Sequence, residues 1–299
     1  MRTEASTSGL PTQRVGLDDA PTLWCHQPEG IACDETPEAS VELSLCVLAS
    51  SSSGNCTVLI RGSGATRRLT LIDAGLSPRR TSRLLAAMGL RIDQIDDVLF
   101  THLDRDHCVP SWSKYLPRHA RFRVHRAHRA RAERTGILAR RTYIFDDETP
   151  AELPGGLTVH ACTAAHDSSG VAVLRVDAEG CETPVLGYAT DIGCVPDRVI
   201  DHLRGVHTLA IESNYCPELQ RASGRPAFLI DRITGGAGHL SNEESARAVA
   251  HAAPLGPTVL LHLSRHCNTP ERARARHAGD PVVAHHERPT EILPLTRAR

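Results

Sequence analysis

Between Thr101 and Cys108 the chain reads His-Leu-Asp-Arg-Asp-His, which places His102, Asp104, Asp106 and His107 within one turn's reach. Imidazole and carboxylate are the side chains that most often hold zinc, manganese or a similar divalent cation. A polar surface loop with two histidines is the competing reading, because short patterns of this kind also arise by accident. The company the stretch keeps favours chemistry. Single groups of the same types stand before it at Asp73 and after it at His166, Asp191, Glu212 and His262, each directly after or soon after an apolar run. His239 stands apart, in Gly235-Gly-Ala-Gly-His239, shortly before Ser241 and Glu244.

The elements that must position these groups are legible from their patterning. Val41 to Leu48 alternates and then becomes continuously apolar, as a strand entering a core does. It leads into the small-residue turn Ser50-Ser-Ser-Ser-Gly-Asn55. Cys56 to Ile60 and Arg68 to Ile72 form a hairpin around Gly62-Ser-Gly64, and Pro78 to Met88 a helix. A strand from Ile95 to Thr101 delivers the His102 stretch, and a helical segment lies near Ala127 to Arg134. Strands follow at Leu157 to Cys162, Val171 to Val176, Val185 to Ala189, Thr208 to Ile211 and Pro257 to Leu261, the last clear core strand. Pro196 to Leu203 reads as a helix. Ser241 and Glu244 make a capping box for a helix from Glu243 to Ala252, so His239 sits just before a helix N-terminus. Six strands thus end in a potential ligand, at Asp73, His102, His166, Asp191, Glu212 and His262, which equips one edge of an α/β sheet structure as a site. Asp73 has a rival task, capping the helix that follows it.

Length and composition bound the rest. A chain of 299 residues buries a sizeable core as one α/β domain or two. Only 3% of residues are aromatic, so that core is built from Leu, Val, Ile and Ala. A formal net charge of -1 excludes a uniformly basic nucleic-acid binder but leaves room for a local basic groove. Lys114 is the sole lysine. From Arg118 to Arg141 arginines cluster against a single acid, Glu133; the run is either a solvated face or a phosphate-tracking strip centred on Arg126, Arg129 and Arg131. The ten cysteines form no CxxC pair, no charged-then-apolar leader stands at Met1 to Asp19, and no apolar run approaches membrane-spanning length. A reduced, cytoplasmic setting is expected, without a membrane partner. Residues 1–40 read as an extended, largely disordered arm carrying Cys25 and Cys33. Residues 41–270 form the folded domain, and 271–299 an Arg- and Ala-rich tail, packed on or extending from it, with no assignable task.

In order and type these motifs resemble the metallo-β-lactamase fold, a four-layer αβ/βα sandwich of two mixed β-sheets. Ser51-Ser-Ser-Gly-Asn55, Leu71-Ile-Asp-Ala-Gly75, Thr190-Asp-Ile-Gly193, Glu212-Ser-Asn214 and Gly238-His-Leu-Ser-Asn242 together resemble the YycJ/WalJ group of bacterial hydrolases, which is linked with DNA exonuclease activity. Gly238-His239 before a helix, followed by Leu261-His-Leu-Ser264, is also similar to the tRNA 3′-processing enzymes of that fold. The resemblance implies a metal-dependent phosphodiesterase with two divalent ions, manganese or zinc, with magnesium as an alternative. His102, Asp104 and His166 would hold one ion, Asp106, His107 and His262 the other, and Asp191 would bridge them. Asp73 and Asn55 would support the ligands from behind. Glu212 would orient His239, whose imidazolium would protonate the leaving oxygen, with Asp106 also among the catalytic groups.

The departure is Asp104, where the family motif His-x-His-x-Asp-His has a second histidine. A carboxylate there adds negative charge and a hard oxygen donor, which moves preference from zinc toward manganese or magnesium or weakens the first site. The same change resembles the nuclease-like domain of competence-type DNA uptake proteins. The expected substrate is nucleic acid, DNA in preference to RNA. Alternatives are a small ester, lactone or cyclic phosphate on the same site, or a metal-poor, non-catalytic accessory protein.

Overall fold

The computed structural model describes residues 42–138, 141–166 and 168–296. The expected N-terminal arm, with Cys25 and Cys33, lies outside these. Fourteen strands are present among the described residues. They are β1 (Leu43–Ala49), β2 (Cys56–Arg61), β3 (Arg68–Ile72), β4 (Ile95–Phe100), β5 (Arg121–His125), β6 (Thr142–Phe145), β7 (Ala151–Leu153), β8 (Leu157–Ala164), β9 (Val171–Ala178), β10 (Leu186–Ala189), β11 (Thr208–Glu212), β12 (Thr258–Leu261), β13 (Val282–Val283) and β14 (Leu293–Pro294). The helices are α1 (Pro78–Ala87), α2 (Trp112–Tyr115), α3 (Arg129–Thr135), α4 (Asp197–Leu203), α5 (Pro217–Arg221), α6 (Ala227–Thr234), α7 (Asn242–Ala252) and α8 (Pro270–Arg274).

The strands make two seven-stranded sheets, ordered β14-β1-β2-β3-β4-β5-β6 and β13-β12-β11-β10-β9-β8-β7. Each is antiparallel from one edge to its middle and parallel to the other edge. Both sheet faces must therefore be covered, which explains strands that are apolar without alternation. In β4, Val98 and Phe100 pack outward with Leu85 of α1 and Trp112 of α2, while Leu99 packs inward with Ile72, Leu174 and Val259. In the second sheet, Ile211 and Leu260 face Val199 and Leu203 of α4 and Ala248 of α7. Three apolar layers between helix, sheet, sheet and helix define a four-layer αβ/βα sandwich.

Three features depart from the sequence reading. The cap of α1 is Ser77, whose Oγ accepts from the Arg80 amide, so Asp73 is free of that task. The strand β5 lies within the arginine-rich run and β6 directly after it, and Arg123 of β5 is buried and pairs with buried Asp97 at 2.7 Å. Its guanidinium also lies 4.8 Å from the Tyr143 ring centre. Beyond Leu261, residues 282–296 complete both sheets: β13 runs parallel to β12 and β14 antiparallel to β1. Thr290 and Thr296 accept from the amides of Val47 and Leu43 and fix that closure. Among the described residues no helix is long and apolar enough to cross a membrane. Five of the eight described cysteines, Cys46, Cys56, Cys108, Cys216 and Cys267, are buried.

Candidate metal centre

Each of six site residues lies at or just beyond the C-terminal end of its strand: Asp73 after β3, His102 after β4, His166 after β8, Asp191 after β10, Glu212 closing β11 and His262 after β12. Open α/β sheets present their ligand sites at that end. Asp73, Asp191 and His262 have positive φ, at 61°, 53° and 53°. Left-handed backbone at a non-glycine residue is costly and persists where the surroundings hold it, often at functional sites. The turn it makes at each strand exit delivers a side chain that ordinary extended backbone would direct elsewhere.

Asp73 is fully buried and organises the centre from behind. It accepts from the Thr101 amide at 2.9 Å and from the Thr101 hydroxyl, and lies 2.7 Å from His107 Nδ1. Because the Thr101 proton is given to Asp73, Thr101 Oγ1 accepts from His102 Nδ1 at 3.1 Å. His166 Nδ1 lies 3.3 Å from the Gly238 carbonyl. Three imidazoles thus commit Nδ1–H to a support and leave Nε2 as a lone pair, the arrangement that prepares histidine to ligate. Asn55 anchors the motif loop: its amide donates to Asp106 O at 2.7 Å, and its side chain bonds Ser50, Ser51 and Asp106.

The donor atoms of His102, Asp104 and His166 lie within 4.8 Å of one another, and so do those of Asp106, His107 and His262. Asp191 belongs to a third such set with His102 and His107 and a fourth with His239 and His262. Its oxygens lie 2.7 Å from His107 Nε2 and 2.6 Å from His262 Nδ1. Neither ring nitrogen of His262 makes a hydrogen bond of sound geometry, although both are buried. Lone pairs and carboxylate oxygens turned on one another this closely repel unless cations lie among them. The residues therefore fit divalent metal.

Without metal, neighbouring charges shift these ligands in different directions. Burial pushes Asp191 up, but His262 and His107 outweigh it and hold the carboxyl well below its usual range. Burial pushes His107 down, yet Asp191 and Asp73 together hold it well above the ordinary histidine value. His102, buried and next to His107, is held well below it. Burial would also lower His239, but Glu212 raises it to about 9. Glu212 Oε1 lies 2.7 Å from His239 Nδ1, while Oε2 accepts from the Ile192 amide at 2.9 Å. The opposing effect of the α7 N-terminus is therefore outweighed by a fully buried carboxylate in contact.

A family model described as a Beta-lactamase superfamily domain matches residues 68–263, a span that holds every donor named above. The chain belongs to the beta-lactamase superfamily. It is a metal-dependent hydrolase of that fold, and the superfamily fold binds divalent metals. It is 28% identical over 238 residues to exodeoxyribonuclease YycJ of Bacillus anthracis, covering 78% of this chain and 86% of that protein. The metallo-beta-lactamase fold protein YhfI of Bacillus subtilis superposes with a TM-score of 0.61 at 16% identity, covering 83% of this chain and 98% of that one. The short form of human tRNase Z superposes with a TM-score of 0.57 at 14% identity, over 82% and 98% of the two chains.

Within this superfamily fold, the arginines of the strip are ion-paired. Arg131 is ion-paired with Asp104, Arg126 with Asp146 and Arg129 with Glu133. Folding gives Arg126, Arg129 and Arg131 each a carboxylate partner, distant in sequence or one helical turn away. The Arg131 pairing escaped sequence reading because 27 positions separate the two charges and no local pattern links them. Also missed was His128, a buried imidazole with its ring centre 6.4 Å from that of His102 and a pKa pushed down by burial to about 4.

Gly75 is the backbone contact on which the motif loop rests. A Cβ there would stand 1.7 Å from Asp106 O. Gly75→Ala is expected to push Asp106 and His107 out of place, destabilising the fold by about 3 kcal/mol and reducing bound metal. Urea unfolding together with metal content checks this; wild-type values in both would contradict the contact.

Proposed function

We propose that this hydrolase cleaves nucleic-acid phosphodiesters, with DNA attacked from an end as the preferred substrate. The observation that carries the reading is the meeting of two three-residue donor sets on one shared carboxylate, Asp191, with the His239 and Glu212 pair beside it. The likeness to a protein named exodeoxyribonuclease supports the DNA preference.

His102, Asp104 and His166 would hold one divalent ion, Asp106, His107 and His262 a second, and Asp191 would contact both. When bound, such ions activate water near neutral pH and neutralise the phosphate. The chain's own residues do the rest. Asp73 and Thr101 keep His107 and His102 in their ligating tautomers. His239, held protonated at pH 7 by Glu212, supplies a proton to the departing alkoxide. Asp106, a quarter exposed, would join in positioning the attacking water.

The deciding assay offers manganese- or zinc-loaded protein end-labelled single- and double-stranded DNA and RNA, beside His107→Ala. Shortening of DNA by the wild type alone is expected. Hydrolysis of small esters, lactones or cyclic phosphates with both nucleic acids untouched would overturn the reading in favour of a small-molecule hydrolase.

Asp104 sets the metal preference within this scheme. Its carboxylate brings a negative charge that Arg131 offsets, so the first site keeps a balanced charge while presenting oxygen instead of nitrogen. Asp104→His is expected to raise the zinc-to-manganese ratio retained after competition dialysis. An unchanged ratio by elemental analysis would show that Asp104 does not contact the ion.

A further inference from the structure

Away in sequence from the paired arginines, a second set of cations stands, among the described residues, without an ion-paired acid. Arg80, Arg83 and Arg265 line a cavity of about 310 Å³ together with Ser53, His286 and Glu287. Among the described residues none of the three arginines has a carboxylate within ion-pair distance, and Glu287 lies 3.5 Å from His286 Nε2 instead. Arg80 donates to the His286 carbonyl, and Arg265 reaches Ser53 Oγ at 3.5 Å. Three guanidinium groups converging on a concave surface repel one another and gain most from an anion that accepts several N–H donors at once, as phosphate does.

The cavity is joined to the metal centre through short covalent and hydrogen-bonded links. Arg265 follows His262 by three residues. The His262 amide donates to Ser50 Oγ at 2.8 Å, and Ser50 begins the turn that contains Ser53 and ends at Asn55, the anchor of Asp106. A neighbouring cavity, also about 310 Å³, shares Arg265 and His286 and extends to Ser50 and Ser264. A backbone strand lying along this cavity would meet three arginines without an ion-paired carboxylate, whereas Arg126, Arg129 and Arg131 each have one.

Resting on the phosphodiesterase reading above, we infer that Arg80, Arg83 and Arg265 form the phosphate-binding subsite that grips the nucleic-acid backbone next to the cleavage point. The test is binding of a fluorescent single-stranded oligothymidylate to the full chain in EDTA, measured by anisotropy over a range of salt. Losing two phosphate contacts in Arg83→Gln/Arg265→Gln is expected to flatten the slope of log affinity against log salt by about 1.4. Arg83→Lys/Arg265→Lys, which keeps both charges, is expected to retain the slope. A wild-type slope in the glutamine variant, with its thermal midpoint preserved, overturns the proposal, as does a wild type that shows no salt-dependent binding. The two readings fail separately. Salt-dependent binding lost in the glutamine variant, without any hydrolysis by metal-loaded wild type, removes the nuclease reading and leaves an anion-binding groove. Hydrolysis with a wild-type slope in the glutamine variant removes only this subsite.

Discussion

Asp191→Ala is expected to lose hydrolysis by on the order of 10³-fold or more and to lose bound metal with it. The Asp191 oxygens lie within 2.7 Å of His107 Nε2 and His262 Nδ1 in one donor set, and Asp191 groups within 4.8 Å with His102 of the other. Removing it leaves His107 and His262 buried without the carboxylate that faces them, and breaking a buried charged pair in this way costs about 3–5 kcal/mol. In metal-stripped wild type the Asp191 pKa is depressed below its ordinary 3.8, so its stabilisation is full above that value and fades as pH falls through the lower, folded one. The variant should therefore lack that acid-side loss in a plot of unfolding free energy against pH. Retention of two ions per chain by elemental analysis in Asp191→Ala would remove Asp191 from the centre of the site.

His239→Ala carries the second large effect, a fall of about 10²–10⁴-fold in kcat, the usual worth of a positioned proton donor. The sign of the pH dependence follows from the raised pKa. With its value lifted from 6.5 to about 9, His239 is protonated at neutral pH and loses its proton as pH rises through 9. Wild-type kcat should accordingly decline on that alkaline limb, and the limb should be absent in His239→Ala. The pair with Glu212 also stabilises the fold fully below about pH 6.5, a contribution lost as pH rises through 9. Glu212→Gln removes the carboxylate that holds the proton, so the limb should move to lower pH. A limb unmoved in both variants would place the titrating group elsewhere.

Much of the site could be read from the chain because its chemistry sits at strand exits. A run such as Val98-Leu-Phe100 is apolar on both faces, and the first polar residues after it must lie where the core ends. That reasoning locates His102, His166, Asp191, Glu212 and His262 without coordinates. The capping box at Ser241 and Glu244 likewise fixed the start of α7, and hence the level of His239, from local hydrogen bonding alone.

Other features depend on groups far apart in sequence. β5 was hidden because Arg121 and Arg123 interrupt its apolar positions, and only the sheet reveals Asp97 and the Tyr143 ring as their partners. Two-residue strands such as β13 and β14 carry no periodicity; they exist because the edges of β12 and β1 offer unpaired backbone groups. The positive φ of Asp73, Asp191 and His262 leaves no compositional trace, since packing imposes it on residues that would not choose it.

The sequence by itself determined which side chains can bind metal and at which strand ends they stand, because burial and hydrogen bonding within a few residues govern both. Tertiary structure alone decided that Asp73 supports His107 instead of capping α1, that Arg131 neutralises Asp104, and that the uncompensated arginines lie at Arg80, Arg83 and Arg265. Charge pairing is a matter of distance in space, and the fold sets those distances through layers of packing that no single segment contains.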